Sequence, residues 1–408
     1  MAFDLERVRA QFPALEREVH GHPLTYLDSA STAQKPRVVV QAMTRALEAS
    51  ANIHRGVHAL SIEATEAYEA ARHSVGRLLG GVPAEEVVFV RGTTEAVNLV
   101  AATLGPSRVG PGDQVLVTEL EHHSNLVPWQ RLCAARGATL GVVPIDDQGE
   151  LRLEALEALL GPRTRLVAMS HASNSLGTRL PVAEVCRRAH AVGAVVLVDG
   201  AQGVVHGPVD VRALGCDFYA FSGHKLYGPT GAGALWGRRE LLASMPPWQS
   251  GGDMVAEVGL GSASYREPPH RFEAGTPDIV GVIGLGAAIE WFLALGPAAV
   301  AAHDAALLAH ATEVLAQVPG LRVIGTARER IGLVSFILEG LHPHDVGTAL
   351  DLEGIAIRTG HHCTQPVMDH FDVPATARAS FGVYTTPAEL DRLGEALLRA
   401  RALLRGGR

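Results

Sequence analysis

The feature that most constrains the fold is a regular alternation of short apolar runs and helical patterns between residues 86 and 236. The runs EVVFV, QVLVT, TLGVV, RLVAMS and AVVLVD have the length of buried strands, and helical stretches separate them. Strands joined by helices imply crossover connections, and hence a mostly parallel sheet covered on both faces. The alternation therefore predicts an α/β fold built on a large sheet.

The rest of the chain predicts a second, smaller unit. Residues 246–277 are rich in Gly, Pro and Ser and show little periodicity, so we expect loops there. Two long helical patterns follow, and then strands such as LVSFIL and further helices form an α+β pattern. We predict a large domain over residues 18–290 and a small domain formed by 1–17 and 291–408.

Composition and charge limit the classes of partner. The chain is 47% hydrophobic and 19% charged, which suits a packed core and not a disordered protein. Its net charge is −8, and no dense basic run is present, which argues against nucleic acid or an anionic membrane as partner. The first residues lack the basic and apolar stretches of a signal peptide. We expect a cytoplasmic protein that acts on a small molecule.

Lysine and cysteine are both scarce. Only Lys35 and Lys225 are lysines among the 35 basic residues, so an essential amine has two candidates. The four cysteines form no CxxC pair, which argues against a disulfide framework or a cysteine-rich zinc site. A reducing compartment fits this pattern.

The most informative segment runs from Val195 to Gly233. An apolar run ends in Asp199, at the strand end where ligands bind in open parallel sheets. A second apolar run leads into Ser222-Gly-His-Lys225 and a glycine-rich loop, where burial would lower the pKa of the lysine and make it a nucleophile. An amine beside a carboxylate suggests pyridoxal phosphate (PLP), whose aldehyde binds lysine and whose ring nitrogen needs an acidic partner. The alternative is a surface lysine and a capping aspartate.

A phosphate site is predicted close to this pair. Gly92-Thr93-Thr94 follows the strand EVVFV and opens a helix, and a helix N-terminus attracts anions. Ser222 and His224 could complete the phosphate contacts. Ordinary helix capping by threonine would produce the same pattern.

Three further polar residues follow strands in the same region. His122, in the run EHHSN, could stack on a cofactor ring and move protons, although a surface turn or a metal site fits the same run. Asn174 and Gln202 could contact the cofactor's phenolic oxygen or the substrate, or could be ordinary polar caps.

The run Arg358-Thr-Gly-His-His-Cys363 predicts a reactive thiol. We expect a strand that ends in Arg358 and feeds a polar loop, where nearby positive charge favours the thiolate form of Cys363. His361, His362 and Cys363 could alternatively bind a metal. Arg378 could bind a substrate carboxylate with two hydrogen bonds, or could be one more surface arginine. The other three cysteines lie in apolar patterns typical of packing residues.

Taken together, these segments resemble a known family. YLDSAS, NIHRGVH, RGTTEAVNLV, EHHSNLVPWQ, SGHKLYGPTG, RFEAGTP, RTGHHC and ARASF occur in the order found in group II cysteine desulfurases of the SufS type. The resemblance covers residues 5 to 400. It implies PLP fold type I, with a mostly parallel seven-stranded sheet and a smaller α+β domain. It also implies a homodimer that converts L-cysteine to L-alanine, with a SufE-like or SufU-like protein as sulfur acceptor.

The resemblance also implies a role for each candidate residue. It makes Lys225 the cofactor-binding lysine and general base, Asp199 the partner of the ring nitrogen, His122 the stacking acid/base and Cys363 the sulfur acceptor. It implies that the phosphate is bound by Thr94, Ser222, His224 and, from the other subunit, Thr276. Gln202 and Asn174 would contact the ring hydroxyl and the substrate. Arg378 would bind the substrate carboxylate, and Arg358 would lie beside the catalytic loop and the substrate.

Two positions depart from the family pattern: Ser31 stands where alanine is usual, and Thr385 stands where asparagine is common. Either could shift the Michaelis constant or the preference between cysteine and selenocysteine. A selenocysteine lyase, another class V aminotransferase and a non-catalytic persulfide carrier or metal scaffold are the alternatives.

Overall fold

The computed structural model describes residues 4–406, so the outer ends of the predicted small domain, 1–3 and 407–408, lie outside the described residues. Its α-helices are α1 (Leu5–Arg9), α2 (Arg37–Glu48), α3 (Ala59–Leu78), α4 (Thr93–Thr103), α5 (Gly105–Arg108), α6 (Val127–Arg136), α7 (Leu153–Leu159), α8 (Val182–Ala191), α9 (Val211–Leu214), α10 (Arg239–Ser244), α11 (Ile279–Leu295), α12 (Pro297–Ala316), α13 (Pro343–Asp351), α14 (Gln365–His370) and α15 (Pro387–Gly406).

Most of the strands belong to two sheets. They are β1 (Glu18–Val19), β2 (His22–Pro23), β3 (Thr25–Tyr26), β4 (Val87–Val90), β5 (Gln114–Thr118), β6 (Thr139–Val143), β7 (Thr164–Ser170), β8 (Val195–Asp199), β9 (Phe218–Ser222), β10 (Gly233–Gly237), β11 (Val255–Val258), β12 (Ala263–Tyr265), β13 (Leu321–Ile324), β14 (Leu333–Leu338), β15 (Ile355–Ala356), β16 (Arg358–Gly360) and β17 (Thr376–Ser380).

The large sheet confirms the prediction of a mostly parallel, seven-stranded α/β sheet. Its order is β4-β10-β9-β8-β7-β5-β6, and only β10 pairs antiparallel with its neighbours. Strands β4, β8, β9 and β10 are buried along their whole length, as expected for a sheet covered on both faces. Because β8 and β9 are adjacent and parallel, their carboxyl ends meet at one edge.

The second sheet is antiparallel, and the loop after its strand β16 lies near that edge of the large sheet. Its order is β13-β14-β17-β16, and helices α12, α13 and α15 pack against it or against one another. The N-terminal segment joins this region, because β3 pairs with β15 and Arg9 forms an ion pair with Glu389 in α15. The Arg9 contact agrees with the prediction of a small domain formed by 1–17 and 291–408, whereas β3 lies inside the predicted large domain, 18–290, and yet pairs with β15. The domain boundaries stay a prediction.

The prediction of loops over residues 246–277 is wrong in part. Strands β11 and β12 form an antiparallel hairpin inside this segment. Both strands are largely exposed, so their sequences lack the apolar alternation by which a half-buried strand is recognised.

Helices α11 and α12 are rich in apolar residues. No single helix within residues 4–406 is both long and apolar enough to cross a membrane. Only the two helices taken together have the length and apolar composition of a membrane span, and they are bent by 76° at their junction.

Candidate active site

A cavity of about 270 Å³ lies at the carboxyl edge of the large sheet. Its walls come from residues that follow β5, β7, β8 and β9, from the start of α4, and from the loop after β16. Every predicted site residue except one lines it: Thr94, His122, Asn174, Asp199, Gln202, Ser222, His224, Lys225, Arg358, Cys363 and Arg378. The exception is Thr276, which is exposed and lines a separate cavity.

Lys225 and Asp199 form the chemical centre of the cavity. Asp199 is the last residue of β8, and Lys225 ends a short turn that follows β9. Burial lowers the pKa of the Lys225 amine, and the charge of Asp199 opposes that shift. Burial likewise raises the pKa of Asp199, while Lys225 and the Ala201 backbone N–H, 2.9 Å from Oδ1, favour its carboxylate form. A neutral amine is the form that attacks an aldehyde.

The start of α4 provides an anion site beside this pair. Ser222 Oγ accepts a hydrogen bond from the Thr93 backbone N–H at 2.9 Å and lies 3.0 Å from Thr93 Oγ1. Gly92 has φ of 151°, and a Cβ on it would lie 2.9 Å from Ser222 Oγ, so the close approach requires glycine here. Thr93 and Thr94 then open an eleven-residue helix whose N-terminus attracts negative charge.

Two histidines in the cavity are held in the neutral form. Burial, followed by the charge of Lys225, lowers the pKa of His122 to about 3. His122 Nδ1 accepts a hydrogen bond from the Ser124 backbone N–H at 3.1 Å, which fixes the ring at the cavity wall. Burial and the nearby lysines also lower the pKa of His224 to about 4. A neutral imidazole can both donate and accept a proton at neutral pH.

Three residues that line the cavity carry a buried polar atom with no hydrogen-bond partner in the protein, and His362, through its Nδ1, is one of them. Gln202 Nε2 donates to the Ala30 carbonyl at 2.9 Å, whereas its Oε1 is buried and unpaired. Arg378, which is 2% exposed, donates from Nη1 to the Asn174 carbonyl at 2.7 Å, whereas its Nε is buried and unpaired. Because unpaired buried polar groups are costly, these three atoms indicate a polar ligand.

The loop carrying Cys363 closes one side of the cavity. Its thiol is exposed, and both His362 and Cys363 have left-handed backbone angles, with φ of 51° and 57°. Asn174 Nδ2 donates to the His362 carbonyl at 2.7 Å, and the His123 backbone N–H donates to the Cys363 carbonyl at 2.8 Å. These bonds offset the cost of an unusual backbone, as is common at functional sites.

The predicted strand into this loop needs correction. Arg358 does not end a strand but begins β16, which continues to Gly360. The glycine, which the sequence pattern assigned to the loop, pairs with Thr376 in β17. Arg358 remains exposed and lines the cavity, directly across the sheet from Arg378.

The other three cysteines confirm the expectation that they are packing residues, because all three are buried. Burial raises the pKa of the Cys186 thiol to about 12 and raises those of Cys133 and Cys216 as well. A protonated thiol is a poor nucleophile, so among these cysteines Cys363 is the one placed for reaction.

Some lining residues did not stand out in the sequence. Thr93 was included in the predicted phosphate site without a role of its own, His362 was treated only as a possible metal ligand, and Ser31 was treated only as a departure from the family pattern. His362 is buried, with Nε2 2.8 Å from Thr376 Oγ1, whereas His361 is exposed. Thr385 does not line the cavity, and its hydroxyl accepts from the Gly382 N–H at 3.0 Å to close a turn.

No group of three or more histidine, cysteine, aspartate or glutamate side chains in the described part of the chain has the arrangement of a metal site. The cavity instead combines an amine, an acidic partner, a helix N-terminus and unpaired buried polar atoms. This donor set fits PLP. Together with the seven-stranded sheet, it defines a PLP-dependent enzyme of fold type I.

Comparison with known proteins places the chain in a family. The model of the "Aminotransferase class-V" family matches residues 25–393, and the chain belongs to this family. It is 52% identical over 404 residues to a cysteine desulfurase of Dickeya dadantii, covering 98% of each chain. Its fold is similar to the crystal structure of the cysteine desulfurase CsdA from Escherichia coli, with a TM-score of 0.91 and 42% identity over 99% of this chain and all of the other.

A more distant solved structure bears on the cofactor. A mutant of C-DES, in which glycine is covalently linked to the PLP cofactor, matches with a TM-score of 0.81. The identity is 25%, and the match covers 96% of this chain and 98% of the other.

Replacing Lys225 with alanine should remove the covalent link to PLP and abolish turnover. Borohydride reduction of the PLP-loaded protein, followed by peptide mass spectrometry, should find the cofactor on the peptide that contains Lys225. The matched control is Lys35→Ala, because Lys35 is the only other lysine. Cofactor attached to Lys35, or retained after reduction of Lys225→Ala, would show that the assignment is wrong.

Proposed function

We propose that this protein is a group II cysteine desulfurase of the SufS type, which converts L-cysteine to L-alanine and supplies sulfur for iron–sulfur cluster assembly. The observation that carries the proposal is the position of Cys363. An exposed thiol on a restrained loop lines the same cavity as the desolvated amine of Lys225. An aminotransferase needs the amine and the acid but has no use for such a thiol.

PLP, when bound, supplies an aldehyde that takes up the substrate amine and a ring that accepts the electrons of the α-carbon. Lys225 would bind the aldehyde and then, as a neutral amine, take the α-proton on Nζ. The carboxylate of Asp199 would hold a proton on the ring nitrogen, which keeps the ring an effective electron acceptor. His122, neutral at pH 7 because of its lowered pKa, would pack on the ring and accept or donate a proton.

The substrate carboxylate and the substrate sulfur would be bound by different residues of the cavity wall. Arg378 is a charged, buried donor with an unpaired Nε, which suits a carboxylate, and Asn174 lies beside it. The thiolate of Cys363 would attack the substrate Sγ. The Cβ–Sγ bond breaks, its electron pair is protonated at Cβ, and the products are L-alanine and a persulfide on Cys363. One sulfur atom moves, and no external oxidant or reductant is needed for this step.

Cys363→Ser should stop sulfur transfer while sparing earlier steps. L-cysteine should still change the visible spectrum of the PLP-loaded variant, because binding of the substrate amine does not involve the loop thiol. Alanine production should fall by at least about 100-fold, as expected for loss of a nucleophile. The control is Cys133→Ser, which removes a buried thiol outside the cavity.

Three outcomes would contradict the proposal. Alanine production at the unmodified rate by Cys363→Ser would remove the thiol from the mechanism. A requirement for a keto acid would indicate an aminotransferase. Turnover of L-selenocysteine without turnover of L-cysteine would indicate a selenocysteine lyase.

We also propose a homodimer in which Thr276 contacts the phosphate bound by the other subunit. Thr276 is exposed and lies away from the cavity of its own chain. Helices α2 and α3 expose apolar side chains, including Val40, Leu47, Leu60 and Ile62, beside a cavity of about 240 Å³ that α11 also lines. Such a surface is typical of a subunit interface.

Light scattering at micromolar concentration should give about twice the 43.0 kDa mass of the chain. Thr276→Ala should weaken PLP binding without breaking the dimer, whereas Ser264→Ala, on the exposed hairpin strand β12, is the control. A fully active 43.0 kDa monomer would contradict both parts of the proposal.

The persulfide needs an acceptor, and we propose a SufE-like or SufU-like protein. The exposure of Cys363 supports direct transfer to a partner thiol. A cytoplasmic location fits the four cysteines, all of which are free in the described structure.

A further inference from the structure

Arg378 is held by a small network of hydrogen bonds that begins in the N-terminal segment. Its Nη2 donates to Ser31 Oγ at 2.7 Å and to Asp28 Oδ1 at 3.1 Å. The Ser31 hydroxyl in turn donates to the same Asp28 oxygen at 2.6 Å. The three groups therefore form a closed ring in which the serine accepts from the arginine and donates to the aspartate.

The backbone holds this ring in place. Residue 28 bridges to Ser380 of β17, and the Ala30 N–H donates to Ser380 Oγ at 2.9 Å. Arg378 belongs to the same strand, two residues before Ser380. The segment that carries Ser31 is thus fixed to the strand that carries Arg378, and both residues line the active-site cavity.

The ring determines which N–H groups of Arg378 remain for a ligand. Ser31 Oγ and Asp28 Oδ1, only 2.6 Å apart, lie on the same side of Nη2 and share its donation, and one Nη1 hydrogen is taken by the Asn174 carbonyl. The Nε–H is buried and has no partner in the protein, so it is left for a ligand. An unpaired N–H donor on a charged group suits a carboxylate oxygen.

We infer that Ser31 is a positioning residue that sets the affinity of Arg378 for the substrate carboxylate. This inference rests on the proposed role of Arg378. The serine donates a hydrogen bond to the Asp28 carboxylate, so this carboxylate interacts with two donors and pairs less closely with the guanidinium. By accepting from Nη2, the serine fixes the plane of the guanidinium.

Loss of the hydroxyl should weaken carboxylate binding. Without Ser31, the Asp28 carboxylate would pair more closely with Arg378 and neutralise more of its charge. The freed Nη2 hydrogen would still point toward Asp28, because Ser31 Oγ and Asp28 Oδ1 are only 2.6 Å apart, and so would not reach the substrate.

The test compares two amines that differ by a carboxylate: L-alanine, the proposed product, and ethylamine. Their dissociation constants are measured by titrating the visible absorbance of the PLP-loaded protein. Ser31→Ala should raise the constant for L-alanine by about 3- to 10-fold, the range expected for one hydrogen bond. The constant for ethylamine should stay within about twofold, and KM for L-cysteine should rise while kcat stays within about twofold.

The matched control is Ser29→Ala. Ser29 lies two residues away in the same segment, but its Oγ pairs with the Tyr384 hydroxyl at 2.9 Å and not with Arg378. This variant should leave the L-alanine constant within about twofold of its original value.

Three results would overturn the inference: an unchanged constant for L-alanine in Ser31→Ala, an equal rise for both amines, or the same rise in Ser29→Ala. Failure of the proposed function would look different. The protein would then release no alanine from L-cysteine, while the comparison of the two amines would still report on the Arg378 site.

Discussion

The active site depends on the burial of an amine and a carboxylate at one edge of a parallel sheet. Asp199 ends β8, and Lys225 follows β9, so the adjacency of these two strands brings the groups to one cavity. Burial disfavours the charge on each, and each partly restores the charge of the other. The result is an amine whose lowered pKa favours its neutral form, beside a buried carboxyl group whose carboxylate form is favoured by Lys225 and by the Ala201 N–H. PLP chemistry requires such a pair.

The second constraint is the restraint of the Cys363 loop. Two consecutive left-handed residues would be unfavourable in a free loop, and contacts from the other side of the cavity stabilise them. Asn174, which follows β7, and His123, which follows β5, each bond a carbonyl of the loop. The loop therefore connects the two sheets across the cavity. It leaves the thiol exposed at the cavity.

The sequence predicted the parts of the site that depend on local order. A buried strand ending in Asp199, a glycine-flanked Lys225 and a helix opening at Thr94 are readable because each follows directly from its own run of residues. Contacts between distant segments are not readable in this way. Ser31 and Arg378 are 347 residues apart in the chain, and their hydrogen bond exists only because residue 28 bridges to β17. The exposed hairpin of β11 and β12 was missed because neither strand has a buried face to mark its period.

The most direct test of the account is to locate the transferred sulfur. The PLP-loaded protein is mixed with one equivalent of L-cysteine in the absence of thiol reductant. Its peptides are then analysed by mass spectrometry, and the amount of alanine formed is measured. The account predicts one added sulfur atom on the peptide containing Cys363, matched by one alanine per sulfur. Sulfur on Cys133, Cys186 or Cys216, or alanine formed with no persulfide on the protein, would contradict it.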